Sequence, residues 1–567
     1  MNTGYFKSFD GSDIFYREWN FQPNQKTLII IHRGHEHSER LHEIATDAQF
    51  EGYNIFAYDL RGHGYTKEPV SPIFMDNVRD LDMFSKYLHH QYQINEQDIF
   101  VIANSIAGVI VTSWVHDFAP AIAGMALLAP AFEIKLYVPF ANEFIGFTTK
   151  LKKDLVIQSY VKSKVLTHDK AQQEAYDRDP LISKSINGRL LVDLQTAGKR
   201  LVEDAAAINI PTLILSAEKD YVVKNSVQKK FYVNLESQVK EFRTLTNFFH
   251  GILFESGRNE VYQYIKTFVV KSFLLKPNEL SLAPDLFSVK EYENLYYKVM
   301  PTMEKLNFAF QKWSLGKIGA LSEGMALGLK YGFDSGISLD YVYHNKAKGK
   351  FGIGKVIDKG YLEAIGWRGI RIRKQHLLTL LEKNIQDIQS SGRKVKILDI
   401  AGGTGNYLFD IKERYPDVEI VINEFVESNI SLGEEIIHQK GYSHIRFTNF
   451  DCFDPKTYQL INFEPNITII SGIFELFGDN QLTNKAVQGI VSISEENSHL
   501  LYTGQPWHPQ LKMIAFVLNS HQKKDWVMRR RSQKELDRIM AFNHIKKEDM
   551  LIDDYGIFTV SSGKVKG

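Results

Sequence analysis

Residues 98–118 read DIFVIANSIAGVIVTSWVHDF and join a strand, a serine and a helix without an intervening loop. The apolar run 98–104 predicts a buried strand, and the segment after the serine predicts a helix. Ser105 stands between them, where a sharp turn would project its hydroxyl above the edge of a sheet. Alanines occupy positions 103 and 107, where glycine is usual in such a turn, and each adds only one methyl group.

Further apolar strands alternate with helical segments from Thr27 to about Val270. These strands are predicted at 27–32, 53–59, 124–130, 211–220 and 241–245. Strands that alternate with helices indicate a parallel sheet covered by helices on both faces. Residues 132–205 interrupt the alternation, because they contain no convincing buried strand. We expect this insertion to form a helical lid over the catalytic edge of the sheet.

A serine nucleophile requires a base and an acid that orients the base. Asp220 and His250 both follow predicted strands, which places them at the carboxyl edge of the sheet, where ligands bind in open α/β folds. We therefore predict that Ser105, Asp220 and His250 form a catalytic set. The oxyanion would be held by the main-chain N–H groups of Gly34 and Ile106.

Three motifs accompany this set: HRGHEHSERL at 32–41, DLRGHGYT at 59–66 and LTHDKAQQEAYDRDPL at 166–181. Together they resemble the α/β-hydrolase superfamily, in particular its monoacylglycerol lipase and lysophospholipase branch of serine-aminopeptidase-like hydrolases. The resemblance implies a serine hydrolase that cleaves a carboxylic ester, and it assigns the same triad and oxyanion residues. The chain departs from the family pattern at Arg33, at Asn104 and at the two alanines beside the serine.

The polar residues of the first two motifs are expected to fix loops by hydrogen bonds, not to take part in catalysis. A metal site could in principle be built from His32, His35, His37 and His63. His32 ends a buried strand, however, and we predict that the chain has no metal site.

A second α/β alternation begins after residue 390. Its strands are predicted at 394–401, 418–424, 445–451, 467–475, 499–505 and 556–562. The first strand runs into AGGTGN, and glycines at such a turn let the main chain approach a ligand closely. The pyrophosphate fingerprint G-x-G-x-x-G lacks its last glycine here, and no Gly-Lys-Ser/Thr follows. The turn alone is compatible with a nicotinamide or another nucleotide.

Acidic residues end the next two strands of this half. LDIAGGTG at 398–405, Glu424 and Asp451 together resemble a class I S-adenosylmethionine-dependent methyltransferase. The resemblance implies S-adenosyl-L-methionine as the cofactor and a Rossmann-like α/β fold. The implied contacts are Asp399, Ala401, Gly403 and Gly405 with the methionine end, Glu424 with the ribose, and Asp451 and Cys452 with the adenine. Ala401 replaces the first glycine of the pattern, and a nicotinamide dinucleotide remains the alternative ligand.

The methyl acceptor is not identified by any motif. The Asn/Asp-Pro-Pro-Tyr/Phe motif of N-methylating enzymes is absent from the fourth strand, which disfavours DNA adenine and glutamine-type acceptors. Five polar residues are candidates either for an acceptor site or for ordinary structural roles: Tyr341, His344, Glu475, Tyr502 and His508.

Composition limits the remaining possibilities. A chain of 567 residues is too long for one core, so at least two domains are expected. Its 68 Lys+Arg and 67 Asp+Glu leave a net charge of +1, which disfavours a nucleic-acid partner. The single cysteine excludes an intramolecular disulfide. With no apolar leader at the start and no long apolar run, we predict a cytoplasmic protein without a transmembrane segment.

We expect an α/β-hydrolase domain over 1–275, a helical connector and substrate-capping extension over 276–390, and a class I methyltransferase domain over 391–567. The apolar, lysine-bearing segment 308–331 would either pack between domains or make peripheral contact with a membrane. The stretch 334–375 is rich in glycine and basic residues, and we interpret its part 349–374 as a folded, glycine-punctuated loop region. We interpret Arg529–Arg531 as a solvated helix face.

The predicted function is that of a bifunctional enzyme. One half would hydrolyse an ester, by analogy a monoacylglycerol- or lysophospholipid-like one. The other would move a methyl group from S-adenosylmethionine to an unidentified small-molecule or lipid acceptor. The alternative is that one half, more readily the hydrolase, is a non-catalytic binding or regulatory module.

Overall fold

The computed structural model describes residues 1–67, 73–137, 146, 148, 155–159, 161–276 and 280–566. The chain divides into two compact units, Met1–Asn278 and Glu279–Gly567. Each unit is built on its own mixed, mainly parallel sheet, so the α/β fold class is confirmed for both halves. The finer division of the second unit near residue 390 stays a prediction.

The described residues of the first unit form an eight-stranded sheet in the order β1-β2-β4-β3-β5-β6-β9-β10. The strands of this unit are β1 Asn2–Lys7, β2 Asp13–Trp19, β3 Thr27–Ile31, β4 Asn54–Tyr58, β5 Ile99–Asn104, β6 Gly124–Leu128, β7 Val156–Gln158, β8 Ser185–Asn187, β9 Thr212–Ala217 and β10 Lys240–Leu245. From β4 to β10 neighbouring strands of the sheet are parallel, whereas β1 and β2 are antiparallel. The central strands are buried along their whole length, because helices cover both faces.

The helices of the first unit are α1 His42–Ala45, α2 Phe74–Tyr92, α3 Ile106–Phe118, α4 Lys170–Arg178, α5 Gly188–Glu203, α6 Asn225–Asn234 and α7 Arg258–Phe273. The helix after the serine, α3, is mainly apolar and is buried on every side, with only its first residue partly exposed. This packing holds the turn at Ser105 between two buried elements.

The insertion at 132–205 is helical in most of its described part, which contains α4 and α5. It also contains the short antiparallel pair β7 and β8, which the sequence does not indicate because each strand has three residues and little burial. The rest of the predicted lid, at 138–145, 147, 149–154 and 160, lies outside the described residues.

The described part of the second unit forms a seven-stranded sheet in the order β13-β12-β11-β14-β15-β17-β16. Its strands are β11 Lys396–Ile400, β12 Glu419–Asn423, β13 Ile445–Thr448, β14 Ile467–Ile470, β15 His499–Gly504, β16 Ile545–Ile552 and β17 Thr559–Val565. The last two are antiparallel to their neighbours. The strand order reverses between β11 and β14, and ligands bind at the carboxyl edge of such a switch point.

The helices of the second unit are α8 Leu286–Tyr296, α9 Thr302–Ile318, α10 Glu323–Tyr331, α11 Gly336–His344, α12 Ile353–Leu362, α13 Ile365–Ser390, α14 Asn406–Arg414, α15 Glu427–Lys440, α16 Asn480–Ile493, α17 Leu511–Val517 and α18 Gln533–Phe542. The loop interpretation of 349–374 is therefore wrong, since α12 and the start of α13 lie there. Glycines in this region serve close packing: a Cβ on Gly354 would lie 2.2 Å from the carbonyl oxygen of Leu321.

One further interpretation is corrected. Arg529–Arg531 is not a solvated helix face, because the three side chains are buried in the segment before α18. Arg529 forms a 2.6 Å ion pair with Glu535, and both side chains are almost fully buried. The segment 308–331 is divided between α9 and α10, and none of the residues of α9 is buried. Within the described residues, no helix is both long and apolar enough to cross a membrane.

Candidate active sites

The turn between β5 and α3 brings the predicted triad together. Ser105 has φ 56° and ψ −115°, a strained conformation held by its N–H bond to the carbonyl oxygen of Leu128. Its Oγ lies 2.9 Å from Nε2 of His250, and Nδ1 of His250 lies 2.8 Å from a carboxylate oxygen of Asp220. Because a carboxylate can only accept, the Nδ1–H donates and Nε2 is left to take the serine proton.

Asp220 is held in place by its other carboxylate oxygen, which accepts the N–H groups of Val222 and Val223 at 2.7 and 2.9 Å. Burial raises the pKa of Asp220, but the charge and hydrogen bond of His250, together with these two N–H groups, lower it further, so the net pKa is depressed. Asp220 therefore stays ionised while it orients the imidazole.

Two main-chain amides adjoin the serine. Gly34 lies against Ile106, since a Cβ on Gly34 would be 3.2 Å from Cδ1 of Ile106. In the part of the chain that the structure describes, neither N–H donates a hydrogen bond. Both donors remain available for an oxyanion, as the sequence predicts.

Arg33, which departs from the family pattern, has a structural partner. Its guanidinium forms a 2.8 Å ion pair with Glu36 and lies 5.4 Å from the ring centroid of Tyr176 on α4. His37 lies 2.9 Å from Asp179, which follows α4. These contacts tie the loop after β3 to the lid and agree with the structural roles predicted for this motif.

The DLRGHGYT motif also supports this loop. Asp59 accepts from the N–H of Ser38 at 2.7 Å and from its hydroxyl at 2.5 Å. Nε2 of His63 accepts the N–H of His35 at 3.0 Å. Both residues therefore order the segment that carries Gly34.

In the second unit, the turn after β11 uses left-handed backbone at three positions. The φ values are +57° at Ala401, +59° at Gly403 and +76° at Gly405. A Cβ on Gly403 would have nothing within 4 Å, so the space in front of the turn is open. This is the open, glycine-lined approach that a nucleotide-like cofactor requires.

Asp399 places a buried carboxyl group beside this turn. One carboxylate oxygen accepts from the hydroxyl of Tyr407 at 2.5 Å, and among the described residues the other has no partner. Burial raises the pKa of Asp399 to about 7. The hydrogen bond from Tyr407 lowers this pKa, whereas the negative charge of Glu424 raises it further. A positively charged amino group would satisfy the free oxygen, and the methionine end of S-adenosylmethionine supplies one. The residues therefore fit that cofactor.

Glu424 ends β12 and faces the same turn. Its oxygens accept from the N–H of Gly403 and the N–H of Val426, each at 2.8 Å. Each oxygen keeps a second lone pair that a ribose hydroxyl can use. Asp451 is exposed after β13 and accepts from the N–H of Phe453 at 2.9 Å.

Cys452 adjoins Asp451 but belongs to the apolar core. Burial raises the pKa of its thiol to about 12, so the group stays neutral. Contact of this side chain with an adenine would therefore involve the neutral thiol and not a thiolate.

A cavity of about 530 Å³ lies in the second unit. Of the five polar candidates, Glu475 and His508 line it, whereas Tyr502 lies in the core and donates to Asp537. Tyr341 donates to Asp358, and His344 is exposed and bonds to a carbonyl oxygen of its own helix.

Gln505 and Arg373 also line the cavity and were not among the candidates. The sequence could have indicated Gln505, because it is the last residue of the predicted strand 499–505. Arg373 lies on a long helix and has no such signal.

Comparison with known proteins supports both resemblances. A family model described as "Serine aminopeptidase, S33" matches residues 22–257, and one described as "Putative methyltransferase" matches residues 265–565. The chain is 38% identical over 568 residues to "Uncharacterized protein YnbC" of Escherichia coli K12, covering 98% of this chain and 97% of that protein.

Two other relatives match the first half alone. "Phospholipase YtpA" of Bacillus subtilis is 22% identical over 44% of this chain and 97% of its own length. "Monoglyceride lipase" of Rattus norvegicus is 25% identical over 42% of this chain and 78% of its own. These matches confirm a hydrolase half joined to a methyltransferase-family half.

Proposed function

The chain belongs to the family described as "Putative methyltransferase" and carries in addition a hydrolase domain related to monoglyceride lipases, and we propose that it is a bifunctional enzyme. The first activity is serine-dependent hydrolysis of a carboxylic ester. The second is transfer of a methyl group from S-adenosyl-L-methionine.

The hydrolase proposal is supported above all by the continuous hydrogen-bond chain from Ser105 through His250 to Asp220. Ser105 Oγ attacks the ester carbonyl carbon while Nε2 of His250 takes its proton. The N–H groups of Gly34 and Ile106 stabilise the oxyanion. The protonated imidazole then gives its proton to the leaving alcohol, and water releases the carboxylate by the same route. An assembled triad argues against a merely binding role for this half.

The proposed ester class follows the relatives, which are described as a phospholipase and as monoglyceride lipases. The test is labelling with a fluorophosphonate probe, together with hydrolysis of a monoacylglycerol and a lysophospholipid. Wild type and a Ser113→Ala control, which changes a buried serine of α3, should react equally. Ser105→Ala should not be labelled. Labelling that persists in Ser105→Ala would refute the proposal.

The methyltransferase proposal is supported by the unpartnered oxygen of Asp399 at the glycine turn. When bound, S-adenosylmethionine supplies an electrophilic methyl group on a sulfonium. Asp399 would hold its amino group, the turn at Gly403 and Gly405 would admit its methionine end, and Glu424 and Asp451 would bind the ribose and the adenine.

Calorimetric titration with S-adenosylhomocysteine tests this assignment. Wild type and Glu435→Ala, which changes an exposed glutamate of α15, should bind equally. Glu424→Ala should bind at least 10-fold more weakly, because two charge-assisted hydrogen bonds to the ribose are lost. Absence of binding in wild type, or tighter binding of NAD, would contradict the proposal.

A further inference from the structure

The wall of the cavity in the second unit includes residues at the carboxyl edge of the sheet. Gly472 and Gln505 on its wall follow β14 and β15, the first and second strands beyond β11 in the sheet, at its carboxyl edge. Of the described residues that line it, none belongs to the proposed donor-binding set. The cavity is thus a separate chamber on the edge where the donor turn lies, and its size falls within the roughly 300–1,000 Å³ of small-molecule sites.

Most of the cavity wall is apolar. Aromatic and aliphatic side chains from several helices and loops form it, among them Leu315, Phe333, Trp367, Ile370, Trp526 and Phe558. Phe310 and Ile318 of α9 also line it and are 64% and 45% exposed, so the cavity reaches the surface along an apolar helix. A ligand that fills this space must be largely hydrocarbon.

The polar end of the cavity offers hydrogen-bond donors. Gln505 is 4% exposed, and its Nε2 has no partner among the described residues. Nδ1 of His508 accepts the N–H of Gln510 at 3.0 Å, which leaves the proton of the neutral ring on Nε2. Burial lowers the pKa of His508 to about 4, so the ring is a donor and not a cation.

Arg373 is the strongest of these donors. It is 6% exposed and donates no hydrogen bond to any described residue. Its guanidinium lies 3.7 Å from Glu475 and 5.2 Å from the ring centroid of Phe558. Glu475 also interacts with the positive charge of Arg531, so its negative charge is shared between Arg373 and Arg531. A buried guanidinium with free N–H groups matches a carboxylate, which can accept two of them at once.

We propose that this cavity binds an amphipathic carboxylic acid as the methyl acceptor, with its chain along the aromatic wall and its carboxylate on Arg373, Gln505 and His508. The inference rests on the proposed methyltransferase function. A carboxylate oxygen forms the new bond to the methyl carbon as the carbon–sulfur bond breaks. The products are a methyl ester and S-adenosylhomocysteine, and no proton has to be removed. This agrees with His508, whose Nε2 already carries the proton of the neutral ring and so could not remove one from an acceptor.

The proposal also places the reaction in a sequence. Ester hydrolysis releases carboxylates, and it is the activity proposed for the first unit of the same chain. Hydrolysis of an ester with a long apolar acyl chain would therefore supply the carboxylate that accepts the methyl group.

The test uses the full chain with decanoate, and 1-decanol as a probe with the same chain length but no carboxylate. Calorimetry in the presence of S-adenosylhomocysteine should show that decanoate binds and that Arg373→Met weakens it about 10- to 100-fold, as expected for a lost charged hydrogen-bond pair. Binding of 1-decanol should not change in this variant. Arg368→Met, an exposed arginine of the same helix, should behave as wild type. Wild type should also transfer labelled methyl to decanoate.

The outcomes are separable. If S-adenosylhomocysteine binds but decanoate does not, or if Arg373→Met leaves decanoate binding unchanged, the acceptor inference is wrong and the methyltransferase function stands. Label found on 1-decanol instead of decanoate would overturn the carboxylate assignment. If decanoate binds but S-adenosylhomocysteine does not, the cavity is a binding site and not an acceptor site. Should Arg373→Met fail to bind S-adenosylhomocysteine, Gln505→Met replaces it, with an expected loss of about 5- to 20-fold.

Discussion

Replacing Asp399 with asparagine should stabilise the ligand-free second unit at high pH. The buried carboxyl has its pKa raised from 3.8 to about 7, so the folded state holds a proton that the unfolded state has released. Stability therefore falls as pH rises from about 4 to 7 and stays low above that. Two pH units of this window, between pH 5 and 7, correspond to about 2.7 kcal/mol at 1.36 kcal/mol per unit. Asparagine does not titrate and lacks this loss.

The quantity to compare is the stability difference between Asp399→Asn and wild type, measured at pH 5 and at pH 8. It should grow by about 2.7 kcal/mol between the two values, whatever constant cost the unpaired amide of asparagine adds. Urea unfolding followed by tryptophan fluorescence can measure it, since Trp313, Trp367, Trp507 and Trp526 lie in the second unit. Stabilisation of wild type by S-adenosylhomocysteine should identify the transition of this unit.

Asp417→Asn is the matched control, because Asp417 is exposed in the turn before β12. It should show no comparable change with pH. If the difference for Asp399→Asn stays constant within about 0.5 kcal/mol between pH 5 and pH 8, or shrinks, the raised pKa is refuted. The role of Asp399 as an unsatisfied partner for a cationic group would then fall with it.

Three other outcomes are expected. Asp220→Asn should lower kcat for ester hydrolysis about 10³- to 10⁴-fold, because His250 loses its orienting acceptor; activity near wild type would contradict the triad. Ala401→Gly should stabilise the protein by about 0.5 kcal/mol in urea unfolding, since left-handed backbone strains alanine more than glycine's added chain entropy costs; a loss would contradict this. Arg529→Met should destabilise the second unit by about 3–5 kcal/mol by leaving Glu535 without its closest charge partner, and Arg529→Met/Glu535→Leu should recover much of the loss in the same measurement.

The triad illustrates what spacing can predict. Ser105, Asp220 and His250 are far apart in the chain, but each follows a strand that the apolar pattern reveals. Because the carboxyl ends of parallel strands share one edge, the pattern alone placed them together. The same reasoning located Glu424 and Asp451 and could have included Gln505, which follows β15.

Other features could not be read from local pattern. Three consecutive arginines resemble a solvated face because charges are rarely buried without partners. Here the partners become known only in the fold: Arg529 pairs with Glu535, six residues further along the chain, and Arg530 pairs with Glu291 from a distant segment. The glycines near 350 suggest a loop, yet Gly354 lies inside a helix that packs directly on the main chain at Leu321.

The sequence by itself determined the two α/β halves, the strand-to-helix turns and the residues at the strand ends, because these depend on short-range periodicity and on the conformational needs of a few positions. Only the tertiary structure decided the acceptor cavity. Its wall draws on residues from 310 to 558, and its chemistry depends on which buried groups, such as Nε2 of Gln505, are left without a hydrogen-bond partner after the rest of the unit has packed. Pairing of that kind is a property of the folded arrangement and leaves no pattern in the chain.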